Sequence, residues 1–157
     1  MVKRILGLLG IALLVSCQPE GRVFVEHEKL SPNVEWLKVD KREFKVPIED
    51  TSIPYNLSLS FRYANGYQFQ VARIIVTEIS PSGVKTTTNH ELIIRDEKGA
   101  YLGEAGYDIW DSEHIIEPGK KYDEKGTYTY TVEHNMPNEP LNFAMEVGVI
   151  LDKDIKE

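Results

Sequence analysis

Tyr55-Asn56-Leu57-Ser58-Leu59-Ser60-Phe61-Arg62 alternates apolar and polar residues without a break. Successive side chains of a β-strand point to opposite faces, so Tyr55, Leu57, Leu59 and Phe61 line one side and Asn56, Ser58, Ser60 and Arg62 the other. A helical period of 3.6 residues would scatter both sets around an axis. The stretch is a strand with one face in a core and the other in water.

Working outward, the neighbouring stretches read the same way. Asn65-Gly66 is a dipeptide that takes positive φ angles readily and predicts a tight hairpin turn. The apolar run from Tyr67 to Ile79 then returns, and its phase slips around Ala72 to Ile75, which predicts a bulge or a strand crossing between sheets. Pro81-Ser82-Gly83 is a turn, Glu91 to Arg95 a strand, and Asp96 to Gly99 turn chemistry again. Ala100 to Tyr122 mixes glycine and proline with aromatics and acids, and reads as a long functional or bracing loop with a short strand near Ile109. Thr127 to Glu133 alternates tyrosine and valine with threonine, and a last strand sets Phe143, Met145, Val147, Val149 and Leu151 on one face. Upstream, Phe44, Val46 and Ile48 alternate with Lys45 and Pro47, the proline marking an edge or a strand end. Val23 to Glu26 and Trp36 to Val39 are shorter strands. No stretch holds a helical period for three turns. Eight or nine strands at this spacing predict an all-β chain folded as an antiparallel β-sandwich, Ig-like or jelly-roll-like.

Ahead of these strands lie Lys3 and Arg4, then an apolar run from Ile5 to Val15 that suits a leader and is too short to span a bilayer. It ends in Leu14-Val15-Ser16-Cys17, which resembles the bacterial lipobox and contains the only cysteine of the chain. The resemblance implies residues 1–16 as a signal peptide and Cys17 as the site of lipidation, with a diacylglycerol thioether and an acyl chain of the palmitate kind on the freed amine. Each buried methylene is worth about 0.8 kcal/mol, so two or three chains hold a protein on a membrane where one would not. An unmodified lone cysteine in an exported protein would be open to intermolecular oxidation. Residues 17–22 form a tether reaching roughly 18 Å, and residues 23–157 a single domain. Loss of the leader removes Lys3 and Arg4, leaving the remainder more acidic than the formal −7 of the whole chain. That charge excludes nucleic acid as a partner, because phosphates need a basic surface.

The order of motifs along the chain is similar to that of the gliding-motility lipoproteins of the GldH type from Bacteroidetes. The likeness lies in Trp36, the run Arg42 to Asp50, YNLSLSFRY at 55–63, DEKGAYLGEAGYDIWD at 96–111, and GTYTYTVEHNMPNEPLNFAMEVGVIL at 126–151, and so spans nearly all of the mature chain. It implies a lipoprotein of the outer membrane, needed for surface motility and for the linked type 9 secretion apparatus, with an envelope protein complex as its partner. A single acid, Glu20, stands near Cys17 where surface-exported lipoproteins of this kind carry an acidic cluster, which implies the periplasmic face. The family brings no catalytic residues, and none is assigned.

The residues themselves offer little chemistry. His27, His90, His114 and His134 have no metal-ligand spacing, and no cofactor is expected. Asp108, Asp111, Glu113 and Glu117 could offer oxygens to calcium but lack the glycine of an EF-hand loop, and read as a solvated acidic loop. Ser80-Pro81-Ser82-Gly83 is not a nucleophile elbow, and the chain reads as a non-enzyme. The rival to a protein-contact role is glycan binding, for which Trp36, Tyr101, Tyr107 and Trp110 are the candidate ligand or partner surface. Each could equally pack under the long loop.

Overall fold

The computed structural model describes residues 20–155, so the leader and Cys17 lie outside the described residues. The strands are β1 (Arg22–Lys29), β2 (Glu35–Trp36), β3 (Arg42–Ile48), β4 (Tyr55–Ala64), β5 (Val71–Ile79), β6 (Lys85–Ile93), β7 (Glu104–Ala105), β8 (Ile109–Lys120), β9 (Gly126–His134), β10 (Leu141–Asn142) and β11 (Ala144–Lys153). One sheet has the order β1-β11-β4-β8-β7, a second the order β3-β9-β5-β6, and β10 pairs with β2 in a short ribbon. All pairings are antiparallel.

The order has a simple logic. β5 and β6 form the innermost hairpin, β4 pairs with β8 around it, then β3 with β9, and finally β1 with β11. A long hairpin folded over on itself in this way, closed by β11 on β4 and β9 on β5, is a jelly roll. The strand order thus selects the jelly-roll arrangement over the Ig-like one.

Between the sheets, Leu57, Leu59, Phe61 and Tyr63 of β4 and Val147, Val149 and Leu151 of β11 meet Phe44 and Val46 of β3, Ile74 of β5 and Tyr130 and Val132 of β9, all of them buried. β4 keeps the alternation expected of it except at Ser58, which is buried, 1% exposed, on the outer face instead of facing water, and Pro47 does lie on an edge strand. Other expectations need correction. Asn65-Gly66 is a turn, with Gly66 at φ 109°, but it carries the chain from one sheet to the other, because β4 pairs with β11 and β8 and not with β5. A side chain on Gly66 would meet the Phe143 ring at 2.8 Å, so that ring holds the crossing tight. β5 has no bulge. Tyr67 and Phe69 belong to the crossing, and Ala72, Ile74 and Val76 then face inward in regular alternation. The bulges lie elsewhere, in β1, in β11 and twice in the β4–β8 pairing.

The expected loop of 100–122 is largely β8, twelve residues long. Its inward positions include Ser112 and His114 rather than aliphatics, which removes the signal that periodicity detects. β6 likewise begins earlier than the predicted Glu91, because its first half is threonine-rich. In β11 a register shift between Ala144 and Glu146 buries Ala144 while Phe143 and Met145 remain half-exposed, so only Val147, Val149 and Leu151 share the predicted face.

At the end of the sandwich where β1 starts, Lys120 Nζ of the first sheet lies 2.8 Å from Glu78 Oε2 of the second and 2.7 Å from Glu117 Oε2. Tyr130 donates to Glu78 at 2.6 Å and shares a 2.8 Å hydrogen bond with Tyr122. Burial lowers the Lys120 pKa, but the hydrogen bonds to Glu117 and Glu78 outweigh it and the net shift is upward. Lys120→Met should cost about 3 kcal/mol by leaving Glu78 half-buried without its cation. Adding Glu78→Gln should recover part of that, and a denaturant titration of the single and double variants checks both.

Candidate functional site

On the outer face of the five-stranded sheet the side chains that alternate away from the core form rows across the strands. One row runs Lys29, Glu146, Arg62, Asp111, Glu104 from β1 to β7, and the next runs His27, Gly148, Ser60, Glu113. Opposite charges on neighbouring strands attract across the row. Arg62 donates from Nε to Asp111 at 2.6 Å and from Nη2 at 3.0 Å, with Glu146 at 3.6 Å on its other side. Arg22 is aimed outward by the β1 bulge and is hydrogen-bonded to Asp152 at 3.0 Å and to Glu113 at 3.1 Å. These hydrogen bonds raise both guanidinium pKa values further, chiefly through Asp111 and Asp152 respectively.

Gly148 sits at the centre of this face. A Cβ there would stand 2.4 Å from Ser60 Oγ and 2.5 Å from His27 Nδ1, so only glycine leaves room for the 2.9 Å His27–Ser60 hydrogen bond above it. A hollow of about 560 Å³ lies over these residues, walled on the far side by Gly103 and Glu104. Arg62 and Glu146 also border a second hollow of about 370 Å³ toward Leu30 and Pro32. Val34 of that second hollow borders a third, of about 580 Å³, with Asn65, Asp108, Asn142 and Phe143. The three follow one another along the sheet, with Arg62 and Glu146 common to the first two and Val34 to the last two, and make a groove of mixed lining, charged at the Arg22 end and more apolar in the middle.

The four aromatics expected to form a surface divide differently. Trp36 is fully buried; its Nε1 donates to the Asp40 carbonyl at 2.7 Å and its ring packs on His134 at 5.3 Å. Trp36 is core because the β2–β10 ribbon places it over that end of the sandwich. Tyr101 and Trp110 do come together, at 5.4 Å and 43°, but as a brace: Tyr101 takes the Arg95 guanidinium on its face at 4.2 Å and accepts from the Gly66 amide at 2.9 Å, while Trp110 donates to Asn65 at 2.9 Å. They pin the 94–108 loop. Buried Tyr63 also bonds the Leu102 carbonyl of this loop, and burial pushes its pKa up to about 12. Tyr107 alone is wholly exposed, at the tip beside Asp108.

The acids considered for calcium are separately engaged: Asp108 with Asn65, Asp111 with Arg62, Glu113 with Arg22 and Glu117 with Lys120. Among the described residues no three His, Cys, Asp or Glu converge for a metal. Arg22 and Glu146 of the groove carry no motif, and His27 enters the sequence reading only as a histidine without metal-ligand spacing; Ser60 and Arg62 lie on the wet face of β4, which is the one available signal.

Fold and groove together define a jelly-roll sandwich with a trough along one sheet. Within that class the chain belongs to the GldH lipoprotein family, which matches residues 22–151. It is similar to the gliding motility lipoprotein GldH of Flavobacterium johnsoniae, 31% identical over 121 residues, covering 77% of this chain and 73% of that protein. It is also similar to the gliding motility lipoprotein GldH homolog of Christiangramia forsetii, 28% identical over 130 residues, covering 82% and 77%. No solved structure matches the chain.

Burial lowers the pKa of His114, and also of His90 and His134, where Glu117 and Glu139 respectively oppose the shift. A histidine held neutral in the fold takes up protons on unfolding, so the stability present above its unfolded pKa of about 6.5 is lost as pH falls toward the folded value. Unfolding midpoints in denaturant should drop between about pH 7.5 and about pH 5.5, and His114→Gln should flatten that slope.

Proposed function

We propose that this lipoprotein is a non-enzymatic component of the envelope machinery for gliding motility and the linked type 9 secretion, anchored through Cys17 to the outer membrane with its sandwich on the periplasmic side. The observation that carries the reading is the family match over residues 22–151, which embraces all of the long strands except the last two residues of β11. The relatives named gliding motility lipoproteins cover most of the same chain. The position of β1 supports the anchor: Arg22 opens the strand at the end of the sandwich where β11 finishes, and the short tether from Cys17 would hold this end against the bilayer. The non-enzymatic reading is supported by the engagement of the groove's arginines and most of its acids with one another in ion pairs rather than around a free nucleophile.

Cys17→Ala should release the protein from the membrane fraction and leave the fold intact, since Cys17 precedes every strand among the described residues. Mild cross-linking of the tagged, lipidated protein in outer membranes, followed by identification of what co-purifies, should recover motility or secretion components. Their presence in the extract but absence from the eluate would contradict the role, and retention of Cys17→Ala at wild-type levels would contradict the anchor.

A further inference from the structure

We infer that the groove along the outer face of the five-stranded sheet is an oligosaccharide-binding site for neutral or amino-bearing sugars. This rests on the groove alone and stands apart from the machinery reading. The rows from Asp152 to Glu146 span about 20 Å along β11 at the usual strand rise, and the hollow beyond Val34 continues the trough toward Asn142. It is therefore a track for a chain of linked rings rather than a cup for one small molecule.

The lining chooses the ligand class. Planar side chains, with Arg62 a donor, Asp111 and Glu113 acceptors with lone pairs to spare, and Asn142 both, can meet the adjacent hydroxyls of a sugar ring, each of which both donates and accepts. Arg62 is held between Asp111 and Glu146, and Arg22 between Asp152 and Glu113, so their rotamers are ordered before a ligand arrives and less entropy is lost on binding. The sheet interior leaves no strand edge here for a peptide, because β11 and β4 are each paired on both sides. Leu30, Pro32, Val34, Ile109 and Met145 give the middle hollow an apolar lining, on which the C–H face of a sugar ring can pack, and the outward Ile150 is covered, being 2% exposed. Glu104, Asp108, Asp111, Glu113 and Glu146 outnumber the bordering cations Arg22, Lys29 and Arg62, which repels polyanionic glycans and tolerates an ammonium.

Two bulky residues in the left-handed region mark the far end. Val34 has φ 57° and Phe143 φ 66°, conformations that residues with such side chains rarely adopt and that cluster where a site over-determines the backbone. The Phe143 amide donates to the Val34 carbonyl at 2.8 Å, and both residues border the third hollow.

The test is calorimetric titration of the full lipidated protein in detergent with chitotetraose, its N-acetylated form, and tetragalacturonate as the acidic control. Binding of one of the first two is expected, weakened about tenfold by Arg62→Gln and measurably by Asn142→Ala, which breaks no ion pair, and unchanged by Thr129→Ala on the other sheet. Retained thermal unfolding of each variant separates lost binding from lost fold. No heat at millimolar ligand, affinity unchanged in both groove variants, or preference for tetragalacturonate would overturn the assignment.

Discussion

The backbone of β4 is shared between two neighbours along nearly its whole length, β11 on one side and β8 on the other, and its side chains are divided between the core and the outer face, where Ser60 and Arg62 line the groove. That double commitment organises the molecule. Tyr63, Phe61, Leu59 and Leu57 are buried against the second sheet, so β4 cannot slip by one residue without driving Arg62 and Ser60 into the core. With β4 fixed, β11 brings Gly148 and Glu146 into register with Ser60 and Arg62, and β8 brings Glu113 and Asp111. Core and groove are thus two faces of one register.

How far the sequence discloses this depends on which residues face inward. β4, β3 and β9 put aliphatics and aromatics inside at every second position, and their pattern is plain. β8 turns Ser112 and His114 inward and β6 offers threonines, so both are nearly silent to periodicity although they are long strands. Asn65-Gly66 specifies a turn but not its destination, since the Phe143 ring that steers it lies far along the chain. The bulge before Glu146 moves Ala144 inside and hides the phase of β11. The groove was half legible. Arg62 and Ser60 stood on the polar face of the strand that decides the fold, but Arg22, His27 and Glu146 gain meaning only through pairings across strands. Large rings often form binding platforms, but three of the four aromatics, Trp36, Tyr101 and Trp110, serve packing instead.

A surface of mutually paired arginines and acids can be a passive sheet face. Here it is set in a trough, with a glycine floor that a methyl group would disrupt and a wall kept close by Gly103, whose Cβ would strike the Asp111 carbonyl at 2.3 Å. Such tailoring gives this sheet a different character from the outer face of its partner, where Thr77, Thr87, Thr129 and Thr131 stand among Lys45, Arg73, Ile75 and Glu133. In a lipid-anchored protein whose tether enters at Arg22, the trough would begin beside the membrane and run away from it.

The most direct test of this account is to place a photoreactive amino acid in living cells at Asn142 and Glu104 in the groove and at Lys45 and Thr87 on the opposite sheet. The account predicts adducts of increased mass from the first pair and none from the second. Adducts from Lys45 or Thr87, with Asn142 and Glu104 silent, would contradict it by showing that the four-stranded sheet is the working face.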